Sequence, residues 1–441
     1  MIKVNYGVQG CEYEKTHFAT AGLQKTTISQ GETDMAETYR VGVIGVGSRG
    51  YGHIQGILTE RDDTVVTAVC DIYEDRIEQS VKYCKEKKNW DVYGTKDYRE
   101  LIERDDVEVV FVFSAWENHI PAAVYAMEHG KQVAIEVGGA YSVDDCWKLV
   151  DTYEKTGIHC MMLENCCYDR NEMMVMKMVR EGLFGKIVHC EGGYRHDLRS
   201  EISLGKEIRH YRLRNFMNRN CENYPTHELG PIAKILDINR GNRMLSLTSV
   251  SSGAFGLNAY AEQNEKVNPE LKTFRFAQGD IVKTNIRCSG GELISLTLDT
   301  TLPRNYSRNL IVRGTKGFFS EDCDGVFLDG KSSDWGHSFY GNVGEYRKDW
   351  EHPVWRKFEE EGVKGGHGGM DWLVFDAYFE ALHTGDVPPI DTYDTAAWMA
   401  ITPLSEISIM HGGAPVDIPD FTRGMWTQRS DKNHGFYRLD R

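Results

Sequence analysis

The feature that most constrains the fold is a regular alternation of apolar and amphipathic segments between residues 40 and 163. The alternation predicts strands at Arg40–Val46, Thr64–Cys70, Val107–Ser114, Gln132–Glu136 and Ile158–Leu163, with helices at Gly50–Leu58, Glu74–Lys87, Asn118–His129 and Val143–Thr156. The run VEVVFVFS at 107–114 is typical of a strand buried on both faces. Strand, helix and strand at this spacing predict an α/β fold with a doubly wound parallel sheet.

The pattern changes after residue 165, where several strand-like runs follow one another with short turns. A helix is predicted at Asn171–Glu181 and two late helices at Met370–Leu382 and Thr392–His411, while the Gly- and Trp-rich segment Gly330–Gly369 is predicted to be loop. Strands are predicted at Lys186–Tyr194, Leu245–Ser251, Asp280–Cys288, Leu293–Asp299, Asn309–Arg313, Phe318–Glu321 and Val326–Leu328. These runs indicate a second α/β domain with a large, mostly antiparallel open sheet.

The domain boundaries follow from these two patterns. Residues 39–165 are assigned to a nucleotide-binding domain, 166–430 to a substrate-binding domain and 431–441 to a C-terminal tail. A disordered N-terminal extension is one interpretation of residues 1–38. A wrongly assigned start ahead of Met35 is another interpretation of residues 1–34.

Charge and composition narrow the range of partners. Sixty-six acidic residues against 51 basic ones give a net charge of −15, which disfavours binding to nucleic acid or to an acidic membrane surface. The chain has neither the apolar core of a signal peptide nor an apolar run of membrane-spanning length. We therefore expect a cytoplasmic protein without nucleic-acid or membrane partners.

A glycine-rich loop follows the first predicted strand and opens the first helix. Gly45, Gly47 and Gly50 form a G-x-G-x-x-G pattern, with Ser48 and Arg49 between the last two glycines. The pattern alone is weak, but this context is the one that dinucleotide binding requires. Asp71 follows the second strand, 21 residues after Gly50, where an acid accepts hydrogen bonds from ribose hydroxyls and repels a 2′-phosphate. The cofactor predicted is NAD.

Other polar and aromatic residues lie at or just after the ends of later strands. They are Trp116, His119, Glu136, Val137 and Asn165. Ligands of doubly wound sheets bind outside the carboxyl ends of the strands, so these residues are candidates for ribose and nicotinamide contacts. By position alone, Trp116 is equally well a surface aromatic residue and His119 a polar residue at a helix start.

The first half resembles the glucose–fructose oxidoreductase and inositol dehydrogenase superfamily. Most dehydrogenases of that superfamily carry Glu-Lys-Pro at the end of the fifth strand, where the lysine lies beside the nicotinamide and the substrate hydroxyl. This chain reads Glu136-Val137-Gly138 there. The catalytic lysine that the resemblance would imply is missing.

The second half narrows the resemblance to glycoside hydrolase family 109, whose members are NAD-dependent α-N-acetylgalactosaminidases. The motifs that carry it are Met162–Tyr168, Gly182–Gly185 leading into Gly192–Arg199, Tyr224–His227 and Gly365–Asp371. The resemblance implies NAD contacts at Ser48, Arg49, Asp71, Trp116, His119, Glu136, Val137, Asn165 and Tyr224. It implies substrate contacts at Tyr194, Arg212, Tyr224, Pro225, Thr226, His227 and Tyr306.

One departure from the family pattern lies next to the implied substrate site. Glycine often follows Tyr-Pro-Thr-His in family members, whereas this chain has Glu228. A charge at that position is expected to alter the sugar pocket.

The resemblance also implies a redox-assisted route of hydrolysis, an exception to the usual pair of carboxylates. Oxidation at C3 of the sugar acidifies the C2 hydrogen, the aglycone is eliminated, water adds, and the returned hydride recycles a tightly bound NAD. Histidine and tyrosine suit the proton transfers. His227, Tyr224 and Tyr306 are the predicted catalytic group, and the sequence singles out no metal cluster.

From the sequence pattern alone, a purely structural role remains an alternative for each of these residues. His227 is then a helix-entry residue, Tyr306 a packed corner between strands, and Tyr194 a core residue. His367, flanked by glycines, either binds substrate or belongs to a loop. Arg212 either clamps the substrate or lies on a solvated face.

Two other functions remain as alternatives. One is an NAD-dependent sugar or polyol dehydrogenase that releases its oxidised product, and the absence of the lysine at Val137 counts against it. The other is a non-catalytic sensor of NAD or sugar. The expected partner is a small carbohydrate, and the superfamily resemblance implies a homo-oligomer.

Overall fold

The computed structural model describes residues 38–333, 337–429 and 432–440. All but the last residue of the predicted N-terminal extension therefore lies outside the described residues. Residues 39–162 contain the first sheet, in the order β3-β2-β1-β4-β5-β6 with every pair parallel. Its strands are β1 (Tyr39–Ile44), β2 (Thr64–Cys70), β3 (Tyr93–Thr95), β4 (Val109–Val112), β5 (Gln132–Ile135) and β6 (Cys160–Met162). The predicted doubly wound parallel sheet is confirmed.

Helices connect the parallel strands of this sheet. They are α1 (Ser48–His53), which continues as a π-helical turn at Ile54–Leu58, α2 (Glu74–Lys88), α3 (Tyr98–Ile102), α4 (Trp116–Glu128) and α5 (Val143–Thr156). Local signals set their ends. Ser142 accepts a hydrogen bond from the amide of Asp145 at the start of α5, and Gly157 ends that helix at φ 73°.

The second sheet has eight strands in the order β13-β12-β11-β7-β10-β9-β8-β14. They are β7 (Ile187–Arg195), β8 (Met244–Ser251), β9 (Ile281–Cys288), β10 (Leu293–Asp299), β11 (Ile311–Gly314), β12 (Gly317–Ser320), β13 (Gly325–Leu328) and β14 (Val416–Asp417). Strands β7 and β10 pair in parallel and the other neighbours pair antiparallel, as the prediction of a mostly antiparallel sheet requires.

The later helices pack on both sheets. They are α6 (Arg170–Arg180), α7 (Arg199–Ser203), α8 (Arg212–Asn218), α9 (Thr226–Ile235), α10 (Gly256–Gln263), α11 (Val343–Trp350), α12 (Pro353–Glu361), α13 (Met370–Thr384), α14 (Thr392–Met399) and α15 (Ile401–Met410). Short 3-10 turns lie at Asn165–Tyr168, Pro269–Lys272, His337–Phe339, His367–Gly369 and Met425–Thr427. Helix α13 reaches back to the first sheet, where the Phe375 and Phe111 rings lie 5.0 Å apart.

Two predictions about this region are wrong for identifiable reasons. The segment predicted as loop contains α11 and α12, and α12 buries Val354, Trp355 and Phe358 on one face. The predicted helix Thr392–His411 is interrupted at Ala400. Pro403 has no amide hydrogen to bond the carbonyl of Met399, and that carbonyl instead accepts from the Ala140 amide at 3.0 Å.

Residues 37–441 group as one compact unit, so the boundary at 165 stays a prediction. The C-terminal segment is anchored, because Leu439 is buried and Asp440 pairs with Lys234 at 3.1 Å. Among the described residues, no helix combines the length and the apolar character that crossing a bilayer demands.

Candidate active site

A cleft of about 1560 Å³ lies at the carboxyl ends of the first sheet and is bounded on its other side by residues from the second half of the chain. Most of the predicted site residues line it: Gly45, Gly47, Ser48, Arg49, Asp71, Glu136, Val137, Asn165, Tyr194, Arg212, Tyr224 and His227. The predicted cofactor and substrate residues therefore face one continuous space.

The glycine loop is shaped for close approach of a ligand to the backbone. Gly45 has a φ of 87°, and a Cβ there would lie 2.6 Å from the Ser114 nitrogen. A Cβ on Gly50, which lies beneath the loop, would lie 2.0 Å from the Gly45 carbonyl oxygen. Both positions exclude side chains, as the turn and the helix–strand contact of a dinucleotide site require.

Asp71 presents its carboxylate at the end of β2. Its Oδ2 accepts from the Val46 amide at 3.0 Å and its Oδ1 from the Tyr73 amide at 3.1 Å. The Arg76 guanidinium lies 3.7 Å from Oδ2. This fixed carboxylate beside the glycine loop fits the adenosine ribose of NAD.

A buried ionic network joins three of the predicted cofactor residues. Arg49 Nε donates to Glu136 Oε2 at 2.8 Å, and its two Nη atoms donate to Asp371 at 2.7 and 2.9 Å. Asn165 Nδ2 donates to Asp371 Oδ1 at 2.7 Å. Burial alone would raise the pKa values of both carboxyls, but the Arg49 charge and its hydrogen bonds hold them well below their usual range.

The other end of the cleft is walled by aromatic rings around a buried cation. The ring of Tyr224 lies 4.5 Å from that of Tyr194, and 5.7 Å from the buried ring of Trp116, which lies outside the cleft lining. The Arg212 guanidinium lies 4.8 Å from the Tyr224 ring centre and pairs with Glu201 at 2.9 Å. Its Nη1 is buried without a hydrogen-bond partner among the described residues, which leaves a donor for a ligand.

His227 forms a dyad with a fully buried carboxylate. Helix α9 begins at Thr226 and packs against the turn Asn165–Tyr168, which brings His227 beside Glu164. His227 Nδ1 and Glu164 Oε1 are 2.7 Å apart, and the same oxygen accepts from the Cys166 amide at 3.2 Å. A carboxylate only accepts hydrogen bonds, so this contact assigns the proton to Nδ1 and leaves Nε2 as a base.

Glu164, Cys166 and His227 also offer three metal-binding atoms within 4.8 Å of one another. The His227–Glu164 contact has the length of a direct hydrogen bond. Burial raises the pKa of the Cys166 thiol well above its usual value, and its Sγ donates to Asn165 Oδ1 at 3.5 Å. The arrangement fits a proton-transfer dyad better than a metal centre.

Several predicted residues do not line the cleft. Trp116 and His119 are buried, and His119 Nε2 lies 2.9 Å from the Ser114 carbonyl oxygen. Pro225 and Thr226 are buried at the start of α9, where they set the direction of their neighbours. Tyr306 is 47% exposed, outside the cleft lining, with its ring 5.1 Å from that of His196.

Glu228, which is expected to alter the sugar pocket, is buried and does not line the cleft. A Cβ on Gly192 would lie 1.7 Å from Glu228 Cγ, and Arg308 Nε lies 3.5 Å from its carboxyl oxygen. Burial and the nearby Glu172 raise the pKa of Glu228 well above its usual value. It therefore fills space behind the site, beside Arg308.

Three cleft residues were missed as candidates from the sequence. His196 accepts or donates at Nδ1 with the Tyr194 hydroxyl at 3.0 Å. The two-residue spacing to Tyr194, which puts both on one face of an extended strand, would have indicated it. Asp371 and Arg76 gave no such signal, because the contacts that hold them at the cleft also involve partners distant in sequence, which are Arg49 for Asp371 and the carbonyls of residues 208 and 209 for Arg76.

Comparison with known proteins separates the two halves of the chain. Residues 39–164 match the oxidoreductase family described as having an NAD-binding Rossmann fold. Residues 168–428 match the C-terminal domain of glycosyl hydrolase 109.

Similar proteins cover most of the chain. The alpha-N-acetylgalactosaminidase of Tannerella forsythia is 38% identical over 88% of this chain and 87% of its own length. The alpha-N-acetylgalactosaminidase of Shewanella oneidensis is 37% identical over 88% of this chain and 86% of its own length. Among solved structures, levoglucosan dehydrogenase in complex with NADH and levoglucosan has a TM-score of 0.63 at 18% identity, over 87% of this chain and all of that one. The last likeness concerns the fold.

Proposed function

This chain belongs to glycosyl hydrolase family 109 and is an NAD-dependent glycoside hydrolase, and from that premise we propose that its substrate is a terminal α-linked N-acetylgalactosaminide. The observation that carries the proposal is the convergence on one cleft of the glycine loop, the His227 dyad and the unpartnered Arg212 donor. Val137 lines the cleft at the position of the dehydrogenase lysine, which disfavours a simple dehydrogenase.

NAD is held, in this proposal, by the glycine loop, Asp71, Arg49, Glu136 and Asn165. When bound there, NAD supplies reversible oxidation of a sugar carbon, so that the hydrogen on the neighbouring carbon becomes acidic. Every other task falls to side chains of the chain itself.

His227 Nε2 takes and returns protons on the sugar, with Glu164 holding the opposite ring nitrogen. Tyr224 acts as a hydrogen-bond donor, because burial raises its pKa well above the usual value and keeps its hydroxyl protonated. The buried Arg212 stabilises negative charge that develops on a sugar oxygen. Tyr306 lies outside the cleft lining, and its proposed place in the catalytic group requires its exposed ring to reach the substrate from the solvent side.

Retention and recycling of NAD belong to the same proposal, and a contact over the adenosine end supports them. The segment 205–211 lines the cleft opposite Asp71. Arg76 Nη2 donates to the Ile208 and Arg209 carbonyls at 3.3 Å, and both Nη atoms of Arg209 lie 2.7 Å from Asp75. Release of the dinucleotide requires these contacts to open, so they act as a clasp.

Replacing Arg209 by alanine is expected to speed NAD release about 2- to 5-fold, since exposed ion pairs contribute only weakly. The rate is measured by chasing bound NADH with excess NAD. Lys82→Ala is the control, since it removes an exposed ion pair with Glu86 on α2, the helix that also carries Asp75. It should leave the rate of NAD release unchanged. Equal rates for both variants would show that the clasp does not restrain the cofactor.

A paired assay tests the proposed activity. The NAD-loaded protein is given an aryl α-N-acetylgalactosaminide and, separately, free N-acetylgalactosamine with NAD in excess. We expect continued release of the aryl group without accumulation of NADH. Accumulation of NADH in proportion to turnover, with no glycoside cleaved, would instead identify a dehydrogenase.

The proposal extends to the partner, the location and the assembly of the protein. The partner is a small carbohydrate rather than nucleic acid or a membrane, and the protein is a cytoplasmic homo-oligomer.

A further inference from the structure

We propose that Asp371 is a positioning residue for the cofactor. Its carboxylate holds Arg49 and Asn165 in the orientation in which they contact NAD. In this way the last part of the chain completes a site that the first part mainly builds. No local sequence pattern around Asp371 indicates this role. The inference rests on the NAD site of the proposed function.

The carboxylate of Asp371 is buried, and each of its two oxygens contacts two neighbouring side chains. Its Oδ1 accepts from Arg49 Nη2 at 2.9 Å and from Asn165 Nδ2 at 2.7 Å. Its Oδ2 accepts from Arg49 Nη1 at 2.7 Å and lies 2.8 Å from His367 Nδ1. Only 3% of the Asp371 side chain is exposed, so its partners are held with little freedom to rotate.

The orientation of Arg49 depends on this carboxylate. Glu136 holds only Nε, whereas Asp371 holds both Nη atoms in a bidentate pair. The planar guanidinium therefore has one orientation, with its remaining surface toward the cleft. Without Asp371, rotation about the Arg49–Glu136 contact would carry the Nη atoms out of place.

The backbone before Asp371 is shaped to the carboxylate. Asp371 lies in the first turn of α13, directly after the glycine-rich segment 365–369. A Cβ on Gly366 would lie 2.5 Å from Asp371 Oδ2. The glycine therefore leaves the room that the carboxylate occupies, which accounts for one glycine of a conspicuous motif.

Asp371→Asn tests the proposal, because it keeps the volume and removes the charge. We expect NAD to bind about 10- to 100-fold more weakly to the full-length protein freed of dinucleotide, as charged hydrogen bonds are weakened. Binding is measured by NADH fluorescence, and the sugar KM at saturating NAD should change less than 3-fold. Asp376→Asn is the matched control, since Asp376 lies on the same helix and pairs with Arg61 away from the cleft.

Two further variants separate positioning from a merely structural role. In the double variant Arg49→Lys with Asp371→Asn, we expect the fold-loss of NAD affinity to be well below the product of the fold-losses in the two single variants. The reason is that Asp371 acts largely through Arg49. Gly366→Ala should also weaken NAD binding, because the added methyl group displaces the Asp371 carboxylate. This variant tests the proposal independently if Asp371→Asn does not fold. Wild-type NAD affinity in Asp371→Asn, or in a folded Gly366→Ala, would overturn the proposal, as would multiplicative losses in the double variant.

Discussion

Glutamine in place of His227 is expected to lower kcat/KM by about 10²- to 10⁴-fold, the usual contribution of a positioned acid–base group. Glutamine retains a donor for Glu164 but has no nitrogen that takes up a proton near neutral pH. The dyad lies apart from the glycine loop and Asp71, so the affinity for NAD should remain within 2-fold. The expected loss is therefore in kcat rather than in cofactor binding.

The measurement is steady-state hydrolysis of an aryl α-N-acetylgalactosaminide by the NAD-loaded variant. His411→Gln, an exposed histidine after α15, is the control and should keep full activity. Glu164→Gln leaves His227 in place but removes the group that fixes its tautomer, so kcat should fall there too. Activity of His227→Gln within 3-fold of the wild type would move the base elsewhere, with His196 the next residue to examine.

Arg308→Met is expected to lower the free energy of unfolding by about 3–5 kcal/mol, because it removes one partner of a buried cluster and leaves the carboxyl groups around it without their hydrogen-bond donor. Arg308 Nη2 lies 2.6 Å from Glu172 and 3.2 Å from Asp169, and Nε lies 3.5 Å from Glu228. Glu172 and Glu228 are both buried, and burial already raises their pKa values well above the usual value. Methionine fills much of the volume but supplies no charge.

The pH dependence of this loss has a definite sign. A raised pKa means that the folded state holds protons that the unfolded chain releases above about pH 4.3, so this contribution to stability falls as pH rises. Without Arg308 the folded pKa values rise further, so the variant retains extra protons only where the folded wild type has begun to release them. The deficit should therefore widen as pH rises through the raised pKa values of the folded wild type and stay constant below them. Urea unfolding across pH measures this. The surface pair in Arg104→Met should cost about 1 kcal/mol or less, and an equally small, pH-independent loss in Arg308→Met would contradict the account.

The parts of the fold that the sequence predicted are those set by neighbours along the chain. Alternating apolar runs gave the parallel sheet, and the resemblance gave the family, and both are confirmed. Helix α12 was missed because its buried residues are few and its flanks are rich in glycine. The interruption at Ala400 depends on a carbonyl freed by Pro403 and on a distant amide at Ala140, which a periodicity argument does not include.

The same division holds in the site. Gly45 and Asp71 follow strands directly, so a motif at fixed spacing located them. Asp371 bonds Arg49, which is 322 positions away, and nothing in its own neighbourhood indicates that partner. His119 had the right position in sequence, but the turn of α4 aims its ring into the interior.

Hydrolysis in D2O tests most directly the claim that a transient oxidation makes a C–H bond of the sugar breakable. The NAD-loaded protein is allowed to cleave an aryl α-N-acetylgalactosaminide in D2O, and the released sugar is analysed by NMR, with free sugar kept in D2O without protein as the control. The account predicts deuterium at C2 of each released sugar. Full cleavage with hydrogen retained at C2 would contradict it.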